Sequence, residues 1–272
     1  MPVAPPASSS FTLPDRLLRG SGVVWFSTAL IGQMAFVAFI LIFYGVRTIT
    51  GNFAGWNDKP LIDGYVAGDG VGNLVFIIHV LLAAVVTLGG LMQLIPALRR
   101  RFPRLHRWTG RVFLVLAIIM AVSGGWLTLV RGTWLSEVSA AAILGDAVLI
   151  LVFAVLAWRR ARQRRFEAHR LWAMRAFMVV SGVWFLRVGL MGWIILNQGP
   201  VGMNRTLSGP ADMVMVFGSY LIPLALLEVH VAAGRSRRMA PKILAAALTG
   251  IAALYTAVGV VGTVAFMWGP YL

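Results

Sequence analysis

The chain has 272 residues, of which 59% are hydrophobic and only 12% charged, with a mean hydropathy of +0.83. Soluble domains carry about a quarter of charged residues, so water is not the main solvent of this chain. It holds 24 Lys and Arg against 9 Asp and Glu, a net charge of +15, and no cysteine, which excludes disulfides, thiol catalysis and Cys-ligated metal or iron–sulfur centres.

In chain order, residues 1–22 are rich in Pro and Ser and lack a basic n-region, which predicts a disordered N-terminal tail before an uncleaved first helix. Residues 23–272 read as a single transmembrane domain. The apolar runs predict spans over 23–46, 74–98, 112–130, 139–158, 171–196, 213–233 and 243–268. Each is close to the twenty or so residues that cross a hydrocarbon core of about 30 Å as a helix rising about 1.5 Å per residue. The expected fold is therefore all-α, a polytopic bundle of about seven transmembrane helices.

The basic residues sort by side. Arg16 and Arg19 precede the first span, Arg99 to Arg111 lie between the second and third, Arg159 to Arg175 around the fourth and fifth, and Arg235 to Lys242 between the sixth and seventh. Only Arg47, Lys59, Arg131 and Arg205 fall on the other side, and Arg187 falls inside a span. By the positive-inside rule the N-terminus is expected in the cytoplasm and the C-terminus outside. Charge placed this way reports orientation and contact with anionic lipids, and no nucleic-acid partner is expected. The outer loops, with Trp56, Asp58, Asp63 and Asp69 in one and NQGPVGMNRTLSGPAD in another, read as lids or connectors. Trp and Tyr gather near span ends as interfacial anchors, and glycines such as Gly89, Gly90, Gly124, Gly182, Gly189 and Gly250 predict close helix packing.

Four histidines carry the candidate chemistry. His106 and His169 open the third and fifth spans in two similar strings, HRWTGRVF and HRLWAMRAF, whose Arg107, Arg111, Arg170 and Arg175 form a basic motif at the cytoplasmic face. His230 lies near the same level, two residues after Glu228. His79 is about 20 Å away along the bilayer normal and cannot share a metal with them. Three imidazoles at one depth offer two axial ligands for a b-type haem, or three nitrogens for a metal with Glu228 as base, or lipid-phosphate contacts and helix caps. No H-x-x-x-H or H-E-x-x-H string occurs, so no zinc site is expected. In the outer half, Asp146 and Arg187 agree in depth to within about 5 Å, which predicts an ion pair with His79 as a third member, either a purely structural bridge or a site for a quinone, an anionic headgroup or a proton. Gln33 and Gln93 are weaker polar candidates. A retinal protein is excluded because the last span holds no lysine, and an inside N-terminus argues against a G-protein-coupled receptor.

The run from His79 through GGLMQLIPALRRRFPRLHRWTGR and RRARQRRFEAHRLWAMRAF to the FLR ending at Arg187 resembles bacterial membrane proteins grouped as domain of unknown function 2306, over roughly residues 73–192. The resemblance implies a multipass protein of the bacterial inner membrane whose recurring positions fall on His79, Gln93, Arg99, His106, Arg111, His169, Arg170, Trp172, Arg175 and Arg187, and it implies no reaction. A looser similarity is to b-type membrane cytochromes of the two-haem kind. Three readings follow: a redox protein with one b-type haem on two of His106, His169 and His230, a solute or proton transporter using Asp146 and Arg187, or a non-catalytic lipid-binding or assembly subunit.

Overall fold

The computed structural model describes residues 12–59 and 61–272, so residues 1–11 of the expected tail lie outside the described residues. The described chain is helical and has no strand. Helix α1 (Leu13–Phe39) continues through a π-helical stretch (Ile40–Gly45) into α2 (Val46–Ile49). There follow α3 (Gly70–Leu94), α4 (Pro96–Arg101), α5 (Pro103–Leu129), α6 (Glu137–Arg162), α7 (Phe166–Val180), α8 (Gly182–Leu196), α9 (Pro210–Arg235) and α10 (Met239–Gly262). The last helix runs on through a second π-helical stretch (Thr263–Trp268). Six of these helices are long and apolar enough to cross a membrane, and α7 with α8 makes a seventh span broken by a 53° bend.

Local chemistry sets the ends. Helix α1 starts at Leu13, earlier than the sequence reading placed it, because Asp15 accepts from the Thr12 amide (3.3 Å) and hydroxyl (2.6 Å), which caps the first turn. Lys242, at the start of α10, bonds Asp15 at 2.6 Å and ties the two helix starts together. Asp69 accepts from the Gly72 amide at 2.8 Å and opens α3. That helix stops at Leu94 rather than near residue 98: Ile95 precedes Pro96 and adopts an extended ψ of 109°, as the proline ring requires. Pro103 then starts α5 well before the expected position 112, and α6 continues to Arg162. The basic segments are thus helix ends more than loops.

Successive spans reverse direction. Helix α1 packs on α10 and α3, α5 packs between α3 and α6, α7 packs on α6, and α8 and α9 close the bundle against α10. A continuous core runs through it, from Phe36, Phe39 and Phe43 through Phe113 and Phe153 to Phe177 and Trp184. The outward faces are apolar instead of charged, as at Leu254 (71% exposed) and Val261 (66%), which suits a lipid environment. Small residues bring α8 and α10 together: the Tyr255 hydroxyl donates to the Gly189 carbonyl at 2.7 Å, and Gly192 lies against the Tyr255 ring. Gly250 does not serve this purpose, since nothing lies within 4 Å of where its Cβ would be.

Candidate functional site

At the arginine-rich end, α5 and α7 run in the same direction on either side of α6. Their first turns carry the two similar strings, and His106 and His169 both line one cavity of about 1020 Å³. Arg99, Arg107, Arg111, Arg162 and Arg170 surround it, with a single acid, Glu167. Its inner wall is apolar, made by Phe113, Leu114, Trp158 and Phe177. An anion there meets several guanidinium forks, whose geometry suits phosphate or carboxylate.

The hydrogen bonds fix which imidazole nitrogens are free. His169 Nδ1 lies 2.9 Å from the Ala157 carbonyl, an acceptor, so Nδ1 carries a hydrogen and Nε2 is the nitrogen with the lone pair in the neutral ring. His106 is held the opposite way. With the Gln93 amide oxygen accepting from Thr109 Oγ1 (2.6 Å) and the Gly110 amide (3.2 Å), the amide nitrogen donates to the His106 carbonyl (3.2 Å) and to His106 Nδ1 (3.0 Å). His106 Nδ1 is then an acceptor and Nε2–H a donor. Gln93, a secondary candidate from the sequence, is therefore what sets the His106 tautomer.

The third histidine is elsewhere. His230 lines a second cavity of about 580 Å³ between α1, α8, α9 and α10, and its Nδ1 lies 3.3 Å from Thr249 Oγ1. That cavity is almost wholly apolar, with Trp25, Phe185, Met215, Ile222 and Leu226 on its walls. The expected set of three histidines is thus split between two chambers, and among the described residues no three His, Asp or Glu side chains converge to hold a metal. Glu228 is not available as a base either: it takes both Arg175 nitrogens, Nε at 2.6 Å and Nη2 at 2.9 Å, while the guanidinium stacks 4.3 Å over Trp172. Arg175 leaves the basic motif for this bridge, whereas Arg107, Arg111 and Arg170 stay at the cavity. The two chambers adjoin: Leu94, Met174 and Phe177 belong to the walls of both.

The expected outer cluster does not form. Arg187 donates to the Val183 carbonyl at 2.8 Å and lies 5.5 Å from the Phe36 ring centre, toward α1. Asp146 faces the other side of the same span, against Gly182. Five residues separate Gly182 from Arg187, which is about 140° of rotation on a helix, so equal depth did not mean equal azimuth. His79 is between α3 and α5, with Nδ1 2.8 Å from Ser123 Oγ. Ser123 gives its own hydrogen to the Ile119 carbonyl at 2.7 Å, so His79 is the donor in that pair.

One group missed in the sequence belongs to the opposite end. Burial first, and the Arg187 charge second, push the Lys59 ammonium down to about 8. The only other lysine, Lys242, is ion-paired with Asp15. Near pH 8 Lys59 therefore holds far more neutral amine than an ordinary lysine, whose pKa is about 10.4. An acylating reagent at that pH is expected to modify Lys59 roughly tenfold faster than Lys242 after allowance for its partial burial, read by peptide mass spectrometry. Equal rates would contradict the assignment.

A family model described as DUF2306, predicted membrane protein, matches residues 76–231. The match reaches past residue 192, where the resemblance read from the sequence ended, and takes in α9 as far as His230 and Val231. No curated protein and no solved structure matches the chain.

Proposed function

The chain belongs to the DUF2306 family of predicted membrane proteins, and on that footing we propose that it binds an anionic amphiphile of the phospholipid class, with the head in the arginine cavity and a chain in the apolar one. One observation carries this reading: the arginine-lined chamber abuts an almost wholly apolar chamber, with Leu94, Met174 and Phe177 in the walls of both, so that a movement of these side chains would join them. Both volumes fall in the roughly 300–1,000 Å³ range of small-molecule sites. A phosphate would take charge-assisted bonds from Arg111, Arg170 and their neighbours and a further bond from His106 Nε2–H, while the chain replaces bilayer contacts with Phe177, Met215 and Ile222. On the positive-inside rule this chamber faces the cytoplasm. The test is native mass spectrometry of the full chain released from bilayers of mixed anionic and zwitterionic phospholipid. Retention of the anionic lipid alone is expected; equal retention of both classes would defeat the proposal.

The b-type haem is the second reading, favoured by the free Nε2 of His169 beside a basic cavity. Haem supplies electron transfer when bound, and the arginines would meet its propionates. The His106 and His169 pair does not fit as two axial ligands, because Gln93 donates to His106 Nδ1 and leaves a hydrogen on the nitrogen that would ligate. A reduced-minus-oxidised b-haem spectrum of the purified protein, abolished in His169→Ala, would restore the redox reading. A colourless protein after expression with ample haem is the outcome expected here.

A further inference from the structure

We propose that Asp146 is a proton-binding site set into the break of the α7–α8 span. The break falls at Ser181, with φ −81° and ψ 0°, between two helices bent by 53°. Asp146 Oδ1 is buried and has no hydrogen-bond partner among the described residues. Its Oδ2 lies so close to Gly182 that a Cβ there would be 2.7 Å away, and the carboxyl would have to shift to admit one. Tyr220 of α9 is the neighbour there: its Cβ lies 3.4 Å from where the Gly182 Cβ would be, and its hydroxyl 3.1 Å from where a Gly145 Cβ would be.

Among the described residues, no cation is ion-paired with this carboxyl. The described ion pairs use Asp15, Asp58, Asp69 and Glu228. Of the elements packed on α6, α9 presents Tyr220, and neither α5 nor α7 brings a charged group whose field reaches Asp146. Arg187, on α8, faces Tyr44 and Phe36. The break also holds Gln33, which donates to Ser181 Oγ at 3.1 Å and leaves its own buried Oε1 without a donor. Ion-coupled membrane proteins place their cation sites at interrupted membrane helices, and each of these unpartnered oxygens lies beside one.

A bare carboxylate at this depth, with no donor and no counter-ion, is costly by several kcal/mol. A proton removes the charge: one O–H bond forms on a carboxyl oxygen, no other bond changes, and the acid can donate to an oxygen of the break. Release of the proton leaves an anion against Gly182, which draws water or a movement of α6 away from α8. Occupancy of Asp146 is in this way tied to the packing of the broken span.

Infrared difference spectroscopy of the full-length protein in bilayers tests this without requiring reagent access. Wild type minus Asp146→Asn is expected to show the carbonyl stretch of a protonated acid, fading reversibly as pH is raised, and Asp146→Glu is expected to keep a displaced acid band. Dicyclohexylcarbodiimide, which attacks protonated carboxyls in apolar surroundings, is expected to modify the peptide carrying Asp146, with sodium giving no protection. Carboxylate bands for Asp146 across the whole pH range would overturn the proposal. Protection by sodium would overturn it too, in favour of a metal cation.

Discussion

Replacing Arg111 and Arg170 together by Gln lowers the retention of anionic phospholipid by about tenfold or more, while Arg160→Gln leaves it unchanged. Both arginines line the cavity from helices that run side by side with α6, and both are exposed to its interior, so their charges are screened. Hydrogen bonds to ionised partners contribute about 1.5–3 kcal/mol each, and about 1.4 kcal/mol is a factor of ten in affinity. Discounting for exposure brings the pair down to about a factor of ten. Arg160 carries the same charge at the same end but bonds Gln163 at 3.0 Å and takes no part in the cavity wall. It therefore separates a built site from a diffuse attraction between a basic face and acidic lipid. Equal losses in both variants, read by native mass spectrometry, would reduce the cavity to part of that diffuse field.

Gly259→Ala is expected to lower the unfolding temperature more than any other single methyl added to the bundle. Gly259 of α10 faces Val188 of α8, and a Cβ there would meet the Val188 carbonyl oxygen and, at 2.6 Å, its Cγ1. The obstacle is backbone, which cannot rotate away as a side chain can, so the helices must separate. Overpacking typically costs about 1–3 kcal/mol, and a backbone obstacle belongs at or above the top of that range. Separation at this point also loosens the Tyr255 bond to Gly189 and the wall of the apolar chamber that Tyr255 helps to line. Gly250→Ala on the same helix is the control: nothing lies near, and the exchange of Gly for Ala in a helix should stabilise by roughly 0.5–1 kcal/mol. Circular dichroism melts in detergent distinguish the two. A Gly259→Ala melt equal to wild type would contradict the close approach of α8 and α10.

The spans were legible because hydropathy decides them: the described chain has six apolar helices and a broken seventh where the sequence predicts about seven. Their ends were not. Basic residues at 103–111 and 159–162 read as loop, yet Arg is a good helix former, Pro103 seeds α5, and long side chains can carry their charge beyond the apolar core. The break at Ser181 was missed because no proline marks it, although a Ser–Gly pair inside an apolar run is a known place for a kink. At the candidate site, the pairing of His106 with His169 could be read from their similar strings. Separating His230 from them, and Asp146 from Arg187, could not: position in the sequence gives depth along a span, but rotation about the helix axis decides which neighbour a side chain meets. Gln93 is the residue whose role only the fold discloses, since its partners Thr109, Gly110 and His106 come from α5.

Photo-crosslinking with an anionic phospholipid that carries a reactive group on its acyl chain asks whether a lipid chain occupies the apolar chamber. Crosslinks are expected on the walls of that chamber, at Met174, Met215, Ile222 and Leu226, competed away by unlabelled anionic lipid and not by zwitterionic lipid. Crosslinks spread over outward-facing residues such as Leu254 and Val261, unaffected by competitor, would show that the lipid touches the protein only as solvent.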